Sequence, residues 1–74
     1  MDTFYNRMKE TRKDADTSQK KIAEHLNISQ QQYQLYESGK RYIPLDLLKE
    51  FCIYFQVSSD YILGLEKGLK WPRD

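Results

Sequence analysis

Residues 19–36, QKKIAEHLNISQQQYQLY, constrain this chain more than any other stretch, because a turn signal sits in their middle and apolar residues recur at helical spacing on both sides. Ile22, Leu26, Ile28, Tyr33 and Tyr36 stand where two short helices would need a shared core, the two tyrosines with wet hydroxyls, and Ala23 is small where the second helix must pass close. Asn27 marks the turn. The backbone there is pushed toward positive φ, which Gly tolerates best and Asn next best. Ser29 can then cap a new helix, and Gln32, three residues on, completes the spacing of a capping box that would satisfy two orphan amides. Gln30, Gln31, Gln34 and Leu35 are left on the face turned away from Tyr33 and Tyr36. A pair of helices locked in this way presents a glutamine-rich edge, and glutamine can bond an adenine edge bidentately in the major groove.

A chain of 74 residues makes one domain. At that size only roughly 60% of the unfolded surface is buried, which suits a small helical bundle. No stretch approaches the roughly 20 apolar residues of a membrane span, and the start, Met1-Asp2-Thr3-Phe4, lacks a basic region followed by an apolar one. The expectation is a soluble, intracellular protein. Cys52 has no second cysteine to pair with and lies in an apolar segment, where it reads as a small core residue. His25 has no Cys, Asp or second His at ligand spacing and reads as a solvated surface histidine, so no metal or other cofactor is expected. Nor does the chain carry a Gly-rich phosphate loop or a nucleophile paired with a base, so it does not read as an enzyme. The net charge of +1 is weak for a nucleic-acid binder. Distribution matters more than the sum: between Thr17 and Pro44, Lys20, Lys21, Lys40 and Arg41 stand against Glu24 and Glu37. A solvated face could carry the same balance.

Around this centre the pattern predicts an all-α bundle of five helices. Residues 3–14 form a helix with Phe4, Met8 and either Thr11 or Ala15 inward and Arg7, Lys9, Glu10 and Lys13 outward. Thr17 or Ser18 caps the next helix, Gly39 ends the one after it, and Pro44 keeps Ile43 extended. Residues 45–55 repeat Leu45, Leu48, Phe51, Cys52 and Phe55 on one face. Leu47, Ile53 and Tyr54 exceed what that face needs, so the helix is either covered on more than one side or part of a self-association surface. Ser58 or Ser59 caps a last short helix that stops at Gly64, and residues 65–74 read as a tail with Trp71 as its anchor. The domain is therefore expected over residues 1–64.

Laid out in this order, the chain resembles the Cro/C1-type, or XRE-like, helix-turn-helix family of phage repressors and small bacterial regulators. The resemblance runs over about residues 8–64. It is carried by Ser18-Gln19, Ile22-Ala23, Leu26, Ile28-Ser29, the exit Tyr36-Glu37-Ser38-Gly39-Lys40-Arg41 and the closing Val57-Ser58-Ser59-Asp60-Tyr61-Ile62-Leu63-Gly64. It implies a lambda-repressor-like DNA-binding domain with the third helix in the major groove. Carried over, Gln30, Gln31, Gln34 and Leu35 would read bases, with adenine facing the glutamines and a thymine methyl facing Leu35. Ser18 and Gln19, and on the other side Lys40 and Arg41 with the amides around Gly39, would hold phosphate. It also implies an internal ion pair between Arg12 and Glu37. Thr11, Asp16 and Thr17 depart from the leucine, glycine and leucine usual in the family, and Lys21 replaces an acidic capping residue. The first helix is therefore expected to be loosely attached, with dimerisation or the tail making up the deficit.

Three functions fit this reading. The first is a transcriptional regulator in the cytoplasm, associated with the nucleoid, repressing as a homodimer on a near-palindromic operator in double-stranded DNA. The second is an antitoxin-type component that holds a protein partner through the fourth helix and the tail. The third is an RNA-binding or protein-binding module on the same scaffold.

Overall fold

A computed structural model describes residues 3–65, and the tail from residue 66 and its Trp71 lie outside the described residues. The order is α1 (Phe4–Asp14), α2 (Gln19–His25), α3 (Gln30–Glu37), α4 (Leu45–Phe55) and α5 (Ser59–Leu63). Serines start three of the five. Ser18 Oγ accepts from the Lys21 amide at 3.0 Å, Ser29 Oγ from Gln32 at 3.0 Å and Ser58 Oγ from Tyr61 at 3.1 Å. Left-handed residues stop the helices: Asn27 at φ 60° after α2, Gly39 at φ 80° after α3, and Gln56 at φ 56° after α4. Asp16, also left-handed at φ 53°, turns the chain after α1 in the place of the family's glycine.

Met8, Ile22, Tyr33, Tyr36, Phe51 and Ile62 are wholly enclosed, so all five helices contribute to one core. Cys52 is a free, buried thiol whose pKa is pushed up by that burial. α1 packs on α3 and α5, and its attachment is not the loose one expected. Thr11 is buried in place of a leucine by turning its hydroxyl back to the Arg7 carbonyl, at 2.8 Å. Arg7 in turn donates to the Tyr61 carbonyl at 2.9 Å and lies over the Tyr61 ring. Polar ties supplement the thin apolar stripe.

Several further expectations are corrected. Leu45 is 80% exposed, because at the first position of α4 it lies beyond the neighbours that cover Leu48 and Phe51. Leu47 and Tyr54 are half-buried against the core instead, while Ile53 is bare, so α4 is covered on more than one side and still leaves an apolar strip. The capping box at Ser29 is only half made: the Gln32 side chain donates to the Tyr36 hydroxyl at 2.9 Å. The Tyr33 hydroxyl, expected to be wet, is buried with no hydrogen-bond partner among the described residues. Burial and the field of Glu37 push its phenol pKa well above the ordinary value. His25 is exposed, as a surface residue would be, but its ring packs on Tyr54 at 4.4 Å between centroids.

Candidate nucleic-acid interface

The turn between α2 and α3 is closed by two backbone bonds, Asn27 to the Glu24 carbonyl and Ile28 to the Ala23 carbonyl, and it sets the first turn of α3 beside the first turn of α2. Gln30, Gln31 and Gln34 are exposed there, and with Gln19 of α2 they line one open hollow of about 230 Å³. Three exposed glutamines thus share a concave edge with the half-buried Gln19. Leu35 is half-buried at its side.

Directly behind that edge lies a polar cluster built on Arg12 and Glu37. Arg12 grips Glu37 with two bonds, Nε to Oε2 at 2.7 Å and Nη2 to Oε1 at 3.1 Å, and its Nη1 donates to the Thr17 carbonyl at 2.9 Å. Gln19 adds a third donor to the carboxylate, Nε2 to Oε1 at 3.1 Å. Burial by itself would raise the Glu37 pKa, but the hydrogen bonds from Arg12 and Gln19 and the Arg12 charge outweigh it and hold the carboxyl below its ordinary range. The same bond to Glu37 raises Arg12 against the opposing effect of desolvation. This one carboxylate joins α1, the start of α2 and the end of α3, so it fixes the angle at which the glutamine edge is presented.

A helix-turn-helix family model matches residues 8–62. The chain belongs to the Cro/C1-type, XRE-like helix-turn-helix family of transcriptional regulators. It is similar to the HTH-type transcriptional regulator ImmR of Bacillus subtilis (strain 168), 38% identical over 64 residues that cover 86% of this chain and 50% of ImmR. It is also similar to the uncharacterized HTH-type transcriptional regulator YobD of the same strain, 34% identical over 62 residues, 84% of this chain and 55% of YobD. The chain thus spans about half the length of the curated relatives it matches. No solved structure matches it.

In this helix-turn-helix domain Ser18 and Gln19 stand at the start of α2, beside the hollow, while Lys40 and Arg41 are exposed beyond the other end of α3. The amides around Gly39, expected to hold phosphate, are already used. Gly39 donates to the Tyr36 carbonyl at 3.2 Å, and Lys40 and Arg41 both donate to the Leu35 carbonyl, at 3.1 and 3.2 Å, because the helix end must satisfy its own orphan carbonyls. The side chains of Lys40 and Arg41 are what the loop has left to offer. One neighbour of the site was missed in the sequence: Lys9, exposed on α1, lines a small polar hollow of about 110 Å³ with Gln19, Gln34, Glu37 and Ser38. It lies three residues before Arg12, on the same side of α1, and that spacing could have found it. Among the described residues no group of His, Cys, Asp or Glu could hold a metal ion, and no helix is long and apolar enough to cross a membrane.

Proposed function

We propose that this domain reads double-stranded DNA by sequence and represses transcription by occluding a promoter, as a homodimer on a near-palindromic operator. The observation that carries the reading is the convergence of Gln30, Gln31 and Gln34 with Gln19 on one exposed concave edge, braced from behind by the Arg12–Glu37 pair. Base edges vary in where they offer donors and acceptors, and carboxamides held at a fixed angle can tell them apart. Gln30, Gln31 and Gln34 read adenine-containing half-sites, with Leu35 against a thymine methyl. Ser18 and Gln19 on one side and Lys40 and Arg41 on the other take the flanking phosphates and set the register. The relatives named as transcriptional regulators point the same way. The protein acts in the cytoplasm, on the nucleoid.

The dimer is supported by α4 and α5. Leu45, Ile53 and Leu63 are exposed around a groove of about 340 Å³ whose lining also includes Leu48 and Cys52. A second copy would cover this apolar strip and place two α3 edges on half-sites about one helical turn apart.

The test is selection of binding sites from a random duplex pool, with the wild type and Gln31→Ala in parallel at two salt concentrations. The expected product is an inverted repeat whose adenine preference disappears at one position per half-site in the variant. Absence of any enriched sequence, with a folded protein, refutes the reading.

A further inference from the structure

We propose that the hydroxyl of Tyr5, on α1, is a ligand of the DNA backbone beside the loop that follows α3. The inference rests on the DNA reading above and adds to it a contact from a helix that the reading leaves out.

Gly39 is where α1 meets that loop. A Cβ at Gly39 would lie 2.6 Å from Tyr5 Cζ, 2.7 Å from Cε1 and 3.0 Å from Cε2, so it is the hydroxyl-bearing end of the ring that rests on the glycine. The ring is held from another side by Phe4, edge-on at 5.4 Å, and Phe4 in turn meets Tyr42 at 5.7 Å. Tyr5 as a whole is half-buried. Its hydroxyl nevertheless has no bonding partner among the described residues, and the sole buried side-chain polar atom without one there is that of Tyr33, so the Tyr5 oxygen faces solvent. A fixed aromatic ring therefore presents one free O–H at a defined place.

That place is the rim of the interface. Lys40 and Arg41, both exposed, follow Gly39 directly, and Lys9, one turn along α1 from Tyr5, borders Gln34 and Ser38. The loop amides that would otherwise hold an anion are committed to the Tyr36 and Leu35 carbonyls. A phosphate drawn by Lys40 and Arg41 would find in Tyr5 a directed neutral donor whose ring is already immobilised, so little freedom is lost when the bond forms. The chemistry is that of a positioning contact: a hydrogen bond to a non-bridging oxygen, indifferent to sequence.

The decisive variant is Tyr5→Phe, which keeps the ring on Gly39 and removes only the hydroxyl. Affinity is measured by fluorescence anisotropy on the selected operator and on an unrelated duplex of equal length, over a series of salt concentrations, with Lys40→Gln alongside. Tyr5→Phe should weaken binding about tenfold per half-site on both duplexes, with the melting temperature unchanged. Its salt dependence should match the wild type, because a neutral donor releases no counterion, whereas Lys40→Gln should reduce the slope by about 0.9 per lost phosphate contact. A single methylphosphonate at the contacted position, which also removes the charge that Lys40 and Arg41 attract, should then weaken the wild type more than Tyr5→Phe. Equal affinity of Tyr5→Phe and wild type overturns the inference alone. So does a loss of affinity with the same methylphosphonate sensitivity in both proteins, since that is the signature of a ring acting only as a lid on Gly39. Failure of the wild type to bind any duplex overturns the DNA reading, and this inference with it.

Discussion

Replacing Arg12 with alanine should remove a large part of the stability of the domain, and the loss should depend on pH in a particular direction. Arg12 makes two bonds to Glu37 and one to the Thr17 carbonyl, and the paired side chains are 12% and 3% exposed. Breaking a buried pair by removing one partner costs about 3–5 kcal/mol. Partial exposure of Arg12 and the surviving bond from Gln19 place this case near the lower end, at about 3 kcal/mol. At 74 residues the whole domain should have roughly 4–11 kcal/mol of stability. With a urea dependence of about 1 kcal/mol per molar, the midpoint followed by the helical circular dichroism signal should fall by about 2–3 M at pH 7. In the wild type the Glu37 pKa is depressed below its ordinary 4.5, so its contribution is present above that pH and disappears as the pH falls through the folded-state value. In Arg12→Ala burial loses its main opponent, and the pKa of Glu37 should move up from its wild-type value. The gap to the wild type should therefore be widest near neutrality and narrow in acid, as the wild type loses what its depressed Glu37 pKa contributes. Replacing both partners, Arg12→Met with Glu37→Leu, leaves no unpaired charge and should cost less than Arg12→Ala alone. A midpoint shift under about 0.5 M, or a penalty that does not change between pH 7 and pH 4, refutes the reasoning.

Gly39→Ala should destabilise by about 1–2 kcal/mol for its left-handed backbone and by a further amount for the clash with Tyr5. In urea melts, adding Tyr5→Ala to it should recover the second part and not the first. Ile53→Glu, on the bare strip of α4, should leave the urea midpoint at low protein concentration nearly unchanged and shift sedimentation from dimer to monomer. An unchanged sedimentation coefficient counts against α4 and α5 as the dimer face.

What could be read in the sequence was whatever a few adjacent residues decide. Asn27, Gly39 and Gly64 are left-handed because the backbone there must reverse, and Ser18, Ser29 and Ser58 cap because their hydroxyls reach an amide three residues on. These signals set the five helices and the exposed face of α3. Leu45, the Tyr33 hydroxyl and the Gln32 side chain went otherwise because their surroundings come from other elements. Helical spacing puts Leu45 on the same stripe as Leu48, yet spacing does not say where the neighbouring layer ends. Gln32 stands at the reciprocal position of a capping box, but its Nε2 donates to a tyrosine hydroxyl one turn ahead, and its Oε1 makes no bond back to the Ser29 amide.

The same distinction explains why the charge of +1 is a poor guide to the candidate surface. Glu37 is counted as an anion in the sequence, but in the fold it is 6% exposed and matched by Arg12, so neither charge contributes much to the outer field. Within residues 17–44, Lys20, Lys21, Lys40 and Arg41 remain exposed. Only Glu24 opposes them within residues 17–44. The exposed charge of this stretch is therefore net positive although the chain is nearly neutral. It is also modest, since each phosphate neutralised contributes only about 0.9 to the salt slope, and a reader with so few cations must draw its discrimination from directed bonds. Such bonds need a rigid frame more than a strong field. That is the physical reason for placing the one buried ion pair of the described residues directly behind the glutamines.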